Sequence, residues 1–275
     1  MNIKPDCIVC IMNQALKVCK LLELDDTTSK KVLDRAAQIL QKHDFSYTPP
    51  QIAKEIYEAI SDITGNSDPV LKSKELAAKE ALSIDTSFVQ SIQGAVKMAV
   101  IGNVIDFGAQ NQFDLAKMID EHFHREFAID DFEIFEAELK EAKEIVILGD
   151  NTGEHIFDKL LIETIKKEYD VNVSYFVRTK PIINDVTVIE AEFLSDVAII
   201  VDSGVETPGF EIDKSSKDAR EIFERADIII SKGMGNFESL YKVAKRPIYY
   251  LFVVKCSVVA EEIGEDVKSM IFKKG

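Results

Sequence analysis

The sequence has few cysteines, fewer basic than acidic residues, and no long apolar run. Four cysteines in 275 residues are too few for a disulfide scaffold. Acidic residues outnumber basic ones by 48 to 33, and the net charge of −15 excludes a protein that coats nucleic acid. No run of roughly 18 uncharged apolar residues is present, which excludes a membrane-spanning helix. The first residues lack the apolar stretch of a signal peptide, so we expect a cytoplasmic, globular protein.

The first 140 residues are expected to be helical. Within 51–64, Ile52, Ile56, Ile60 and Ile63 recur at helical spacing, which indicates one apolar face of an amphipathic helix. Further helices are predicted over 72–82, 88–107 and 113–123. We predict that residues 1–140 form a helical N-terminal domain.

After residue 140 the pattern changes to short apolar runs that alternate with helix-like stretches. Five runs are predicted to be strands, namely 145–148, 171–177, 197–201, 228–230 and 248–254. Strands separated by helices indicate a parallel sheet with crossover connections. We therefore predict an α/β fold, in which residues 141–275 form a second domain with a mostly parallel sheet.

Polar side chains follow the first two predicted strands. Asp150 and Asn151 come directly after one strand, and Asp185 lies in the segment after the next. Ligands of parallel sheets bind beyond the carboxyl ends of the strands, where these side chains are expected to meet. Carboxylate and amide oxygens are hard ligands that suit Mg²⁺ or Mn²⁺. The sequence thus predicts an oxygen-ligated metal site.

A phosphate site is predicted beside the metal. Lys232 lies in a glycine-containing segment before a helix, and Gly233 lets backbone N–H groups approach an anion. Arg178, after the second strand, adds positive charge. A phosphate monoester there would be attacked at phosphorus while the metal and Lys232 neutralise the developing charge.

Each of these residues also has a purely structural interpretation. Asp150 could cap a helix, Asp185 could form a turn, and Lys232 could be a solvated surface lysine. Glu154 could be a first-turn carboxylate that the helix dipole favours. The joint occurrence of these residues at successive strand ends favours a functional site.

Two further pairs of residues lie in the helical half. Asn103 and Asp106 are three residues apart within an apolar segment, so they either line the site or cap a helix that ends at Gly108. Cys7 and Cys10 form a C-x-x-C motif that could bind metal, form a labile disulfide or simply pack in the interior.

Several segments resemble those of one known family. These are GDNTGE, RTKPIINDVT, DSGVETPG, SKGMGNFESL, GNVIDFG and CIVCIMNQAL. Together they are similar to the DUF89 damage-control phosphatases, and in particular to the stand-alone prokaryotic branch, which carries an N-terminal C-x-x-C. The resemblance extends over nearly the whole chain.

The resemblance implies a Rossmann-like α/β part beside a helical part, and a phosphatase of small phosphorylated metabolites. Such substrates are damaged or side-product sugar phosphates or nucleotide-related compounds. The implied cofactor is Mn²⁺, Ni²⁺, Co²⁺ or Mg²⁺. By matching motif, Asp150, Asn151 and Asp185 would hold the metal and Lys232 the phosphate. The implied neighbours of the substrate are Asn103, Asp106, Glu154, Arg178 and Gly233.

Two alternative functions stay open at this point. The first is a nucleotide- or metabolite-binding module without catalysis, and the second is a redox or metal-handling protein that uses Cys7 and Cys10. The sequence leaves open whether a water or Asp150 is the nucleophile, and it does not give the oligomeric state. The expected partner is a small phosphorylated metabolite, with neither nucleic acid nor membrane.

Overall fold

This computed structural model describes residues 1–102 and 112–275, and the side chains of all of these except 112–116. Six helices of the described part precede the sheet: α1 (Pro5–Leu21), α2 (Asp26–Lys42), α3 (Pro49–Thr64), α4 (Leu71–Leu82), α5 (Ile92–Ile101) and α6 (Gln112–Phe123). The helices predicted over 51–64, 72–82 and 113–123 therefore exist. The helix predicted over 88–107 is found over Ile92–Ile101, and residues 103–107 lie outside the described part. None of the described helices is long and apolar enough to cross a membrane.

Local signals explain where α3 begins and ends. Thr48 and Gln51 form a reciprocal capping box, and Pro49 is the first helical residue. Gly65 ends the helix in the left-handed conformation, with φ of 67°. The apolar face that the isoleucine spacing predicts is buried, since Ile52, Ile56 and Ile60 are at most 2% exposed.

The strands form one sheet in the described residues. They are β1 (Ile129–Asp130), β2 (Glu144–Leu148), β3 (Asn172–Val177), β4 (Ile199–Asp202), β5 (Ile228–Lys232), β6 (Tyr249–Val253) and β7 (Met270–Lys274). Their order is β1-β7-β6-β5-β2-β3-β4, and only the β6–β7 pair is antiparallel. The five predicted strands and the mostly parallel sheet are confirmed. β1 and β7 were not predicted.

Helices cover both faces of the sheet. The second half of the chain contains α7 (Phe132–Leu139), α8 (Glu154–Glu168), α9 (Val188–Ala191), α10 (Lys217–Arg225), α11 (Gly233–Leu240) and α12 (Ser257–Ile263). Alternate residues of each strand point to opposite faces. Ile145 and Ile147 pack with α5 and α8, whereas Val146 and Leu148 pack with α10 and α11. Each such buried aliphatic side chain contributes about 1.5–3 kcal/mol.

The first three helices have an apolar cluster of their own. It includes Ile11 of α1, Ile39 of α2 and Ile56 of α3, and it also takes in Ile182 from the segment after β3. By contrast, α5 shares its apolar cluster with the sheet. The division of the chain into domains at residue 140 stays a prediction. The contact of Ile182 with α1–α3 brings the helical half to the edge where the strands end.

Candidate functional site

The backbone brings the segments after β2 and β3 together. Asn151 and Asp185 form an isolated antiparallel bridge, and the N–H of Val186 donates to the carbonyl of Asp150 at 2.8 Å. These two segments follow neighbouring parallel strands, so they leave the sheet at the same edge. Asp150, Asn151 and Asp185 therefore lie side by side, as the sequence pattern predicts.

Asp150 is held against the start of α11. Its Oδ2 accepts a hydrogen bond from Nδ2 of Asn151 at 2.8 Å. Gly233, with φ of 74°, is the first residue of α11, and a Cβ atom there would lie 1.9 Å from Oδ2 of Asp150. The absent side chain therefore leaves room for the carboxylate. The helix N-terminus also stabilises negative charge at this point.

Asp185 is held by a buried arginine. Arg178, which is 1% exposed, donates from Nε to Oδ2 of Asp185 at 2.9 Å and from one terminal nitrogen to Oδ1 of Asn236 at 2.8 Å. Its other terminal nitrogen is buried and has no hydrogen-bond partner among the described residues. Arg178 thus orients a predicted metal ligand, and one of its buried donors is left over once these contacts are made.

The backbone before Asp185 is strained. Ile183 has φ of 47°, in the left-handed region that a β-branched residue rarely adopts. The N–H of Asp185 donates to the carbonyl of Ile182 at 3.0 Å, which closes a tight turn around Ile183. Such strain costs on the order of 1–3 kcal/mol and is typical of functional segments. The packing of Ile182 and Ile183 against α1–α3 holds the turn in place.

Lys232 lies in the interior rather than at the surface. Its side chain has no exposure, and its ammonium donates to Oε1 of Glu154 at 2.6 Å, to the carbonyl of Ala99 at 3.0 Å and to Asp158. Burial lowers the pKa of Lys232, but Asp158 and Glu154 outweigh this effect and raise it. The contact of Lys232 with phosphate stays a prediction, and it would require this charged cluster to rearrange.

Excess negative charge is buried around Asp150. Burial, followed by the charges of Glu154 and Asp185, raises the pKa of Asp150 well above its ordinary value. Burial likewise raises the pKa of Asp185 to about 6, although Arg178 opposes the shift. Two acidic groups that repel one another in the interior favour a cation between them. The charge distribution therefore fits a bound divalent ion.

The donor atoms also fit such an ion. Asn151 uses its amide nitrogen toward Asp150, and its amide oxygen accepts no hydrogen bond from the described residues. No three His, Cys, Asp or Glu side chains in ranges 1–102 and 117–275 are arranged to hold one metal. Two carboxylates and one amide oxygen are thus the donor set on offer. Asn103 and Asp106 lie outside the described residues.

One basic residue of the site was missed. Lys255 follows the end of β6 and is exposed, and its N–H donates to Sδ of Met234 in the first turn of α11. Met234 follows Gly233, which contacts the carboxylate of Asp150, so Lys255 lies on the same side of the sheet as that carboxylate. Its positive charge opposes the burial that raises the pKa of Asp150. The available signal was the position of Lys255 just after the last predicted strand. A lysine at that sheet edge is as well placed for an anion as one after β5.

The cysteines have structural surroundings. The backbone N–H of Lys4 donates to Sγ of Cys7 at 3.4 Å, so this thiol caps the first turn of α1. Burial raises the pKa of Cys7, which disfavours a reactive thiolate. Cys10 is exposed, and all four cysteines are free thiols. These contacts give no support to the redox alternative.

Comparisons with known proteins agree with the geometry. Residues 3–271 match the family model described as the damage-control phosphatase ARMT1-like domain. A damage-control phosphatase of Pyrococcus horikoshii is 34% identical, over 96% of this chain and 94% of the relative. One of Archaeoglobus fulgidus is 31% identical over 99% of both chains. The crystal structure of a DUF89 family protein from Pyrococcus horikoshii superposes with a TM-score of 0.92, at 28% identity, and covers 100% of this chain and 99% of its own.

Proposed function

The chain belongs to the damage-control phosphatase family with the ARMT1-like domain and is a phosphatase, and we propose that it hydrolyses phosphate monoesters of small metabolites in the cytoplasm with a divalent metal ion. Damaged or side-product sugar phosphates and nucleotide-related compounds are the proposed substrates. The observation that supports this proposal is the backbone bridge between Asn151 and Asp185, which gathers three oxygen donors at one sheet edge.

Asp150, Asn151 and Asp185 would hold the metal. Mn²⁺, Ni²⁺, Co²⁺ and Mg²⁺ all accept oxygen ligands of this kind. When bound, a divalent ion supplies positive charge that stabilises the transferring phosphoryl group. Because Oδ2 of Asp150 already accepts from Asn151 and lies against Gly233, we assign Asp150 to the ligand set and a water molecule to the role of nucleophile.

The protein contributes three further groups to the reaction. The free terminal nitrogen of Arg178 donates to a phosphoryl oxygen, and its Nε keeps Asp185 in place. Lys255 attracts the anionic substrate to the sheet edge. Glu154 lies between Lys232 and Asn151, at 2.6 Å and 3.4 Å, so Lys232 acts on the site through Glu154.

The test is phosphate release from a panel of phosphorylated metabolites and an aryl phosphate. The protein is stripped with a chelator, and each of the four ions is then added alone. Chelation is expected to abolish release, and Asp185→Asn to lower kcat/KM at least about 100-fold, because the site loses charge where the phosphoryl group reacts.

Asp227→Asn is the matched control. The carboxylate of Asp227 accepts the N–H groups of Lys143 and Glu144 at 2.8 and 2.9 Å, at the opposite edge of the same sheet. This variant is expected to retain full activity. Metal-independent release, or full activity of the folded Asp185→Asn protein, contradicts the proposal.

A further inference from the structure

One face of α3 lies over the segments that follow the strands. Gln51 donates from Nε2 to Oε1 of Glu211 at 2.6 Å. One turn later, the ammonium of Lys54 lies 3.3 Å from Oε2 of Glu206. Both glutamates belong to the segment after β4. The helical half therefore lies beside the segment that follows β4, at the carboxyl ends of the strands.

Tyr57 continues this face of α3. It is three residues after Lys54, so the two side chains point to the same side of the helix. Tyr57 is 7% exposed and packs in one apolar cluster with Ile56 and Ile182. Ile182 is three residues before Asp185 in the segment after β3. The phenol thus reaches the segment that carries a proposed metal ligand.

The hydroxyl of Tyr57 makes no hydrogen bond to another described residue, and its oxygen is not among the buried side-chain atoms that lack a partner. The ring belongs to the same apolar cluster as Ile56 and Ile182, so Tyr57 combines a buried apolar body with a polar tip. A bound molecule could therefore supply an acceptor for the O–H without displacing the ring.

We propose that Tyr57 is a specificity-determining residue, whose O–H donates to a hydroxyl oxygen on the organic part of a sugar-type phosphate. The inference rests on the proposed function and deepens it. The rim nearby carries further hydrogen-bonding groups, because Lys180 and Lys54 both pair with Glu206. Such a polar rim suits a polyhydroxylated group better than an apolar one. In the proposed function the phosphate contacts Arg178 and Lys255, so the phenol contacts only the organic part of the substrate.

The experiment compares Tyr57→Phe with the unmodified enzyme, both loaded with Mn²⁺. Initial rates are measured on a panel of hexose and pentose monophosphates and on p-nitrophenyl phosphate. Loss of one hydrogen bond is expected to lower kcat/KM for sugar phosphates about tenfold, mainly through KM. Hydrolysis of the aryl phosphate, which has no sugar hydroxyl, should stay within about twofold.

Tyr250→Phe is the matched control, since Tyr250 is a buried tyrosine that packs with Phe237 and Tyr241. It should leave both classes of substrate unchanged. If Tyr57→Phe lowered both activities equally, Tyr57 would only support the segment that carries Asp185. If it lowered neither activity, Tyr57 would not contact the substrate. Either result overturns the proposal.

Calorimetric binding of the same sugar monophosphates separates this proposal from the proposed function. If neither the unmodified protein nor the variant releases phosphate, but Tyr57→Phe still weakens binding of the sugar monophosphates, the proposed function fails while the Tyr57 contact stands. If the unmodified protein binds no sugar monophosphate, or if Tyr57→Phe binds equally well, the Tyr57 contact is wrong.

Discussion

Gly233 and Asp150 are in such close contact that a Cβ atom at Gly233 would lie 1.9 Å from Oδ2 of Asp150. The first residue of α11 and the carboxylate after β2 therefore determine each other's positions. A carboxylate placed in this way needs both a residue without a side chain and the electrostatic field of a helix N-terminus.

Gly233→Ala is expected to abolish most of the activity. The methyl group would displace the carboxylate of Asp150 and so disturb the proposed metal site. Gly264→Ala is the control, because Gly264 also has positive φ, 79°, but a Cβ there meets nothing within 4 Å. Both variants should lose about 1 kcal/mol of stability from backbone strain. Only Gly233→Ala should lower Mn²⁺ affinity and kcat, and equal effects of the two variants would contradict the steric explanation.

Lys232→Met is expected to destabilise the protein strongly. It leaves Glu154 and Asp158 buried without their cation, which costs about 3–5 kcal/mol. Urea unfolding measures this loss, and adding Asp158→Asn to the variant should recover part of it. A change confined to KM, with unaltered stability, would instead support the direct phosphate contact predicted from the sequence.

Lys255→Met should weaken substrate capture without affecting the fold. The side chain is exposed, so the free energy of unfolding should change by at most about 0.5 kcal/mol. KM for phosphate monoesters should rise about tenfold, and its dependence on ionic strength should become weaker. Lys143→Met, exposed at the opposite edge of the sheet, is the control. Equal KM values for the two variants would remove Lys255 from the site.

The buried His155 should make the free energy of unfolding depend on pH. Burial lowers its pKa from 6.5 to about 4, and its Nδ1 accepts the N–H of Gly153 at 3.0 Å. Between about pH 6.5 and pH 4, His155 is therefore protonated in the unfolded chain but neutral in the folded chain. The free energy of unfolding decreases as the pH falls below 6.5. Between about pH 7 and about pH 5 the loss from this residue should be about 2 kcal/mol.

The measurement is urea unfolding of the wild type and of His155→Asn, whose amide oxygen can replace Nδ1 as acceptor. Comparison of the two proteins cancels the contributions of other groups, including Asp158, whose pKa burial raises to about 6. The wild type should lose more stability than the variant on acidification. Parallel pH profiles would mean that His155 is charged in the folded state.

Much of the fold was predictable because its signals are local. The run Ile145–Leu148 is apolar throughout because both of its faces are covered, and Thr48 marks the start of α3 by its capping box. β7, which pairs antiparallel with β6, was missed because only its first three residues are apolar and two lysines follow them. The two-residue β1 is too short for any periodic signal.

Five of the seven strands of the described residues, and the order of the polar segments after them, follow from local sequence patterns. The meeting of Asp150 and Asp185 follows too, because neighbouring parallel strands end at one edge. The burial of Lys232 against Ala99 and Glu154, which lie 133 and 78 residues away, and the exposure of Lys255 became visible only in the folded chain. A charge is buried where distant segments supply its partners, and no local pattern specifies those partners.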